Sequence, residues 1–495
     1  MAAPEGVTRQ GRVRGTRGPH GVEAFRGIPY AAPPFGPRRF TAPQPAPAWD
    51  GVRDATAFGP TAPKDGYAPP FDALLPEPSF AGEDCLNLNV WTPTVDGRAP
   101  VMVWLHGGAF VNGSGAVPSH DGTAFARDGV VCVTANYRLG TDGYLALDGV
   151  PDNRGVLDQI AALRWVRDNI AAFGGDPDRV TVAGESAGAM SIAFLLAVPA
   201  ARGLFHRAIL QSGAHGMTVR PATARRITAR FAAMLDIEPT AAAFAALPVA
   251  ALGPAQTLLR AEAAAGADPA LWGETALTML PFAPVADDPA AVRAATDPGV
   301  PLLVGSTTEE YRLFTVPTGV VDRVSAARLR QTAARYGLDP DAALPVYAAG
   351  RPGASPGDLM SAILTDWFFR IPALRLAEAA HRAHVYEFGW RSPACDGRLG
   401  ACHGSDVPFV FDTLAAAAGG TGTGGGLLGP GPAPQALADA MHAAWVAFVT
   451  GGDPGWPAYT PERRATVHFG GPDPGVPRLL DDPRAAERAL WDGVR

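Results

Sequence analysis

Three nearly continuous apolar runs constrain this chain more than anything else in it: Val101-Met102-Val103-Trp104-Leu105, Val130-Val131-Cys132-Val133-Thr134-Ala135 and Val180-Thr181-Val182-Ala183. Runs this short, without polar alternation, read as strands buried on both faces. Between the second and third, Val156, Ile160, Leu163, Val166 and Ile170 recur every three or four residues. That spacing predicts a helix over 156–173, ended by Gly174-Gly175. Ala208-Ile209-Leu210, Leu302-Leu303-Val304 and Val385-Tyr386-Glu387-Phe388 are further strand candidates. The alternation predicts an α/β chain with a large, mostly parallel central sheet covered by helices on both faces.

The remaining segments fit around that sheet. Residues 1–65 are rich in Gly and Pro, and the alternation at Val22-Glu23-Ala24-Phe25 predicts short edge strands between turns. Residues 220–295 and 322–380 are Ala-rich and helical in pattern. They interrupt the strands, so they are expected to roof a site and supply its pocket walls. Gln435–Thr450 is expected to form a C-terminal helix, and Ala465–Phe469 a last edge strand. Residues 415–434 read as a flexible loop. Gly420-x-Gly422-x-x-Gly425 within it matches a dinucleotide fingerprint, but no strand precedes it, so it reads as linker. No internal repeat or domain linker is evident, and 1–495 is expected to be one domain.

Composition excludes several functions. The net charge of −7 leaves no basic excess for a phosphate backbone, so nucleic acid is not expected as a partner. Lys64, in the turn-like Pro63-Lys64-Asp65-Gly66, is the only lysine, which argues against a nucleotide-phosphate or Schiff-base lysine. The four cysteines form no C-x-x-C pair and no H-E-x-x-H occurs, so no metal and no cofactor are expected. Cys395 and Cys402 could bridge a local loop, but two reduced thiols are the simpler reading. The N-terminus lacks a basic segment followed by an apolar one, so no signal peptide is expected. The longest nearly apolar run, Ala187–Ala201, contains Ser191 and Pro199 and is short of the ~20 residues a membrane span needs. The expectation is a reduced, cytoplasmic protein with no membrane partner.

Gly184-Glu185-Ser186-Ala187-Gly188 is a G-x-S-x-G pentapeptide. Glycine occupies 58 of 495 positions, so chance alone supplies about 0.2 such matches, and the motif is only moderately informative by itself. Its setting sharpens it. The strand Val180–Ala183 precedes it and the apolar run from Ser191 to Val198 follows, the strand–turn–helix context that lifts a nucleophilic hydroxyl clear of a sheet. The helix would aim its positive end at a developing oxyanion. His106-Gly107-Gly108-Ala109-Phe110 follows the strand Val101–Leu105 directly. Small residues there let main-chain N–H groups approach a substrate carbonyl, which makes Gly108, Ala109 and Ala187 the expected oxyanion donors. His106 is expected to be structural. Glu185 reads as a hydrogen-bonded carboxylate beside the nucleophile.

These residues resemble a known family. Glu83-Asp84-Cys85-Leu86-Asn87-Leu88-Asn89-Val90-Trp91 is similar to the E-D-C-L-x-L-N-x-W signature of type-B carboxylesterases, and Gly184–Gly188 to that family's elbow. The likeness runs from Gly11-Arg12-Val13-Arg14-Gly15 to the Trp445 helix and is nearest to bacterial para-nitrobenzyl-esterase-like members. It implies an α/β-hydrolase fold and a Ser-Glu-His triad acting on small-molecule esters. Gly305-Ser306-Thr307-Thr308-Glu309-Glu310-Tyr311 resembles the family's acid motif, which implies Glu310 as the acid, with Glu309 as its rival and Tyr311 in place of the usual Gly. Cys402-His403-Gly404-Ser405-Asp406-Val407-Pro408-Phe409 implies His403 as the base. Ser212 matches a serine that hydrogen-bonds the acid. The family's disulfide partner for Cys85 is missing. Residues 50–90 also lack the tryptophan of cholinesterases, which disfavours a choline esterase. Carbamate or amide cleavage by the same triad is the alternative activity, and a non-catalytic cholinesterase-like binding protein is a third reading. Whether the protein is a monomer or a homo-oligomer stays open.

Overall fold

The computed structural model describes residues 3–266, 268–294, 297, 299–418 and 426–494. In chain order its strands are β1 (Glu5–Val7), β2 (Arg12–Arg14), β3 (Thr16–Arg17), β4 (Glu23–Pro29), β5 (Val52–Asp54), β6 (Asn87–Thr92) and β7 (Ala99–Leu105). There follow β8 (Val131–Ala135), β9 (Gly175–Glu185), β10 (Arg207–Gln211), β11 (Leu302–Thr307), β12 (Ala383–Phe388), β13 (Ala465–Phe469) and β14 (Arg478–Asp481). β1, β2 and β5 make a small sheet, and the rest form one 11-stranded sheet in the order β14-β13-β12-β11-β10-β9-β7-β8-β6-β4-β3. From β8 across to β13 every neighbour is parallel. The margins, β14 on one side and β6, β4 and β3 on the other, are antiparallel.

The apolar runs behave as a two-faced sheet requires. Val101, Val103 and Leu105 enter one buried cluster, while Met102 and Trp104 enter another. Val131 and Val133 face the first cluster and Cys132 the second; Leu302 and Val304 divide from Leu303 in the same way. Successive side chains alternate across the pleat, so a strand buried on both sides must be apolar throughout. The helix Arg154–Asn169, continued by the turn Ile170–Phe173, covers the first face with Val156, Ile160, Leu163 and Val166. The C-terminal helix Gln435–Gly451 covers the second with Trp445, Phe448 and Val449.

Two expectations need correction. Ala465–Phe469 is not the last edge strand: β13 pairs in parallel with β12 and is flanked in turn by antiparallel β14. Arg478-Leu479-Leu480-Asp481 is short and mostly exposed, so no apolar pattern announces it. Residues 415–434 are not one loop, because Leu414–Ala418 is a helical turn and Gly426–Leu428 a 3₁₀ turn. The Gly420–Gly425 match lies outside the described residues. No helix among the described residues is long and apolar enough to cross a membrane.

The parallel arrangement sets up the site. β7, β9, β11 and β12 all point the same way, with Leu105 beside Gly184 and Thr307 beside Phe388. The loops that carry His106, Ser186, Glu310 and His403 therefore leave the same edge of the sheet, where α/β proteins collect their reactive groups.

Candidate active site

Ser186 sits between β9 and the helix Ala187–Leu195 with φ 53° and ψ −122°, a backbone conformation that a non-glycine residue adopts only when its surroundings enforce it. Its N–H donates to the Gln211 carbonyl at 3.0 Å, and its own carbonyl accepts from the Met190 N–H at 2.8 Å. Gly188 is required for steric reasons: a Cβ there would lie 1.9 Å from the Leu105 carbonyl oxygen, so only glycine lets the helix close on β7. Every residue of that helix is buried, which holds the elbow rigid.

His403 is 6% exposed and bridges the two other expected triad members. Its Nε2 lies 2.8 Å from Ser186 Oγ and its Nδ1 lies 2.6 Å from Glu310 Oε2. An ionised carboxylate only accepts, so Nδ1 carries the proton and Nε2 is left to accept the serine hydroxyl. Glu310 is fully buried, and its Oε1 accepts the Thr307 N–H at 2.7 Å. Glu309, its rival, is committed elsewhere. It pairs with Arg391 and with Arg312 and accepts the Ala401 N–H. Tyr311, where the family pattern has glycine, takes φ −73° and needs no glycine; its ring lies against Phe314 and Phe368.

The oxyanion turn is strained in the way its role would need. Gly108 has φ 113° and Ala109 φ 54°, and the Gly108 carbonyl accepts the Val111 and Asn112 N–H groups at 3.0 and 2.8 Å. Among the described residues, the N–H groups of Gly108, Ala109 and Ala187 donate to no protein acceptor. All three border the Ser186 elbow. His106 is structural: its Nδ1 meets the Gly107 carbonyl at 2.8 Å, its ring stacks on Tyr137, and burial pushes its pKa down to about 3.

Ser212 does not perform the expected hydrogen bond to the acid. It is fully buried with φ 50°, its N–H donates to the Gly305 carbonyl, and its Oγ has no hydrogen-bond partner.

Glu185 is more than a bystander. Its Oε1 lies 3.1 Å from His403 Nε2. Burial pushes the Glu185 carboxyl up to about 8, against the pull of His403. Burial would by itself lower His403, but the carboxylates of Glu185 and Glu310 override it and raise the imidazole to about 9. Glu185 and His403 are thus electrostatically coupled, and the reactive arrangement is the one with a neutral imidazole. Ester turnover is expected to fall as pH drops and His403 protonates. Glu185→Gln removes one negative charge, so the imidazolium is stabilised less, and the acid limb of kcat/KM moves to lower pH by at least about one unit. A limb that stays in place or moves upward in a kcat/KM–pH profile contradicts this assignment.

Several contributors carried no sequence signal. Phe369 and Phe314 pack on the His403 ring at 4.7 and 5.6 Å. Buried Asp406 accepts from Gln211 Nε2 and the Tyr386 hydroxyl, and Trp445 Nε1 donates to Gln211 Oε1. Lys64 is folded into a strap: its Nζ pairs with Glu77 at 2.5 Å and donates to the Gly113 carbonyl, while Glu77 accepts the Gly113 N–H. This ties the segment 64–77 to the end of the oxyanion turn. A cavity of about 250 Å³ opens over Ser186. Its walls correct the expectation that the helical excursions build them. Tyr67, Phe71, Leu74, Leu75, Val407, Pro408 and Leu427 line it, and among the described residues of the excursion 220–295 Arg260 alone does. The excursion 322–380 reaches the site through Phe369 against His403. All four cysteines are free, Cys395 and Cys402 included.

Comparison with known proteins yields one family model, the carboxylesterase family, matching residues 2–474. The chain is 39% identical to the para-nitrobenzyl esterase of Bacillus subtilis over 93% of this chain and 94% of that one. It is 38% identical to the phenmedipham hydrolase of Pseudarthrobacter oxydans over 94% of each. A crystal structure of a Geobacillus stearothermophilus carboxylesterase superposes with a TM-score of 0.83 at 37% identity, covering 98% of this chain and 99% of that one.

Proposed function

This chain belongs to the carboxylesterase family, with its α/β-hydrolase fold, and is a carboxylic ester hydrolase; from that premise we propose that Ser186, His403 and Glu310 are its triad and that Gly108, Ala109 and Ala187 supply the oxyanion hole. The observation that carries the assignment is the unbroken line from Ser186 Oγ through His403 to Glu310, at 2.8 and 2.6 Å. His403 Nε2 takes the Ser186 proton as Oγ attacks the ester carbonyl. The tetrahedral oxyanion would be met by three amides that, among the described residues, have no other acceptor, each contributing about 10²–10³ in rate. Glu310 keeps the proton on Nδ1 and stabilises the imidazolium that forms. His403 then protonates the departing alcohol, and water enters by the same steps in reverse order to release the acid.

The test is covalent. A fluorophosphonate probe is expected to label one residue, Ser186, and to abolish p-nitrophenyl ester turnover in proportion to labelling, as read by peptide mass spectrometry. Turnover that survives full labelling of Ser186, or labelling elsewhere, rejects the assignment. Matched ester, carbamate and amide substrates separate the ester reading from its alternative, because the acyl chemistry is common and only leaving-group expulsion differs. We further propose that residues 1–495 act as one domain and that the protein works in the reducing cytoplasm. The four unpaired thiols and the absence of a partner for Cys85 support that location.

A further inference from the structure

Among the described residues, the lining of the cavity over Ser186 includes an arginine with no acid in contact. Arg260 projects into its lining from the helix Val249–Ala265 and is half-buried there. Fully buried arginines elsewhere are satisfied by acids or by main-chain carbonyls: Arg138 meets Asp158 at 2.7 Å, Arg370 meets Asp366 at 2.6 Å, and Arg154 donates to the carbonyls of Asp142, Pro151, Thr141 and Leu145. Among the described residues, Arg260 has no such ion pair and no hydrogen-bond acceptor. Asp65 is the nearest acid acting on it. It sits against Gly253 of the same helix, seven residues and roughly 10 Å along the axis from Arg260. Glu77 is taken by Lys64. Tyr67 lines the same cavity and likewise has no hydrogen-bond partner among the described residues; burial, Glu77 and Glu185 hold its phenol protonated, with Arg260 opposing them, so it is a donor. His106 and His120, the other basic groups of the lining outside the triad, are held neutral by burial. A half-buried guanidinium beside a phenol, in a lining that mixes apolar Phe71, Leu74 and Leu75 with polar Asn112, Ser119 and a Glu185 that burial pushes toward its neutral form, offers donors to an anion.

Resting on the esterase reading above, we propose that Arg260 and Tyr67 bind a carboxylate carried by the substrate away from its scissile ester, so that the enzyme favours monoesters of dicarboxylic acids or esters of carboxylate-bearing alcohols over neutral esters of the same size. The guanidinium donates to the carboxylate and Tyr67 adds a third donor. This fixes the substrate in the cavity while Ser186 attacks the remote carbonyl.

The experiment uses two matched pairs. p-Nitrophenyl hydrogen adipate against p-nitrophenyl hexanoate places the carboxylate on the acyl side. 4-Acetoxybenzoate against its methyl ester places it on the alcohol side. The quantity read is the kcat/KM ratio of charged to neutral ester within one preparation, which cancels any difference in active fraction. In at least one pair, Arg260→Met is expected to lower the wild-type ratio by about tenfold to a hundredfold, the loss of a charge-assisted hydrogen bond. Arg260→Lys restores part of the ratio, Tyr67→Phe lowers it by a smaller factor, and added salt lowers it in the wild type. The pair that responds tells which side of the ester carries the anion. Ratios equal in wild type and Arg260→Met for both pairs overturn the proposal while leaving neutral-ester turnover, and so the esterase reading, intact. Failure of the wild type to turn over any of the four overturns the esterase reading itself.

Discussion

Ser186→Ala folds as the wild type does and loses ester turnover by about 10⁴–10⁶. The Oγ makes one hydrogen bond, to His403 Nε2, and none that holds the fold. The backbone contacts of residue 186, from its N–H to Gln211 and from Met190 to its carbonyl, do not involve the side chain. Alanine takes the same place in the strained elbow, and the buried helix behind it still fixes φ. Circular dichroism and a denaturation midpoint within experimental error of the wild type, together with lost p-nitrophenyl acetate hydrolysis, are the expected pair of readings. A folded variant that keeps more than about a hundredth of the wild-type rate would remove Ser186 from the reaction, since the oxyanion amides and binding alone leave far less than that.

Glu310→Gln tests the other end of the line, and its effect follows from where each oxygen of Glu310 points. Oε1 accepts the Thr307 N–H and Oε2 faces His403 Nδ1. In glutamine the amide oxygen must stay with Thr307, because only it can accept, so the NH₂ group is presented to Nδ1. Nδ1 then becomes the acceptor, the imidazole proton moves to Nε2, and Ser186 faces a donor where it needs a base. The expected loss is about 10⁴ in kcat, the size known for a wrong-tautomer substitution, with the fold retained because the replacement is isosteric. Glu309→Gln serves as the comparison. Glu309 holds Arg391 and Arg312 at the rim and touches neither His403 nor Ser186, so its loss is expected within tenfold. Comparable losses from the two substitutions would assign the acid role wrongly.

The contrast between those two glutamates shows how far a one-dimensional reading reaches. Adjacent residues of the same type in one loop are indistinguishable by pattern, and resemblance alone favoured Glu310. The fold separates them by direction: one carboxylate turns into the sheet edge and the other out to two arginines. Ser212 shows the opposite outcome. A matching residue type raised an expected contact, but in the fold Ser212, held at a left-handed φ of 50°, leaves its hydroxyl without a partner. The cavity walls were misassigned for a related reason. Segments 67–76 and 404–411 have no apolar period to mark them, while the helical excursions do, and amphipathic periodicity reports burial of a helix face without saying which cavity that face adjoins.

What could be read in one dimension was local. Strands buried on both sides must be apolar throughout, a helix must repeat every three or four residues, and a nucleophile elbow must place small residues around its serine, so the α/β sheet and Ser186 were legible in runs of five to fifteen residues. Folding alone decided the rest, because it concerns groups hundreds of residues apart. The electrostatic coupling of Glu185 to His403, the absence of an acid in contact with Arg260 among the described residues, and the grip of Lys64 on Glu77 and Gly113 each depend on desolvation and on through-space neighbours. Neither quantity has a signature in the order of residues along the chain.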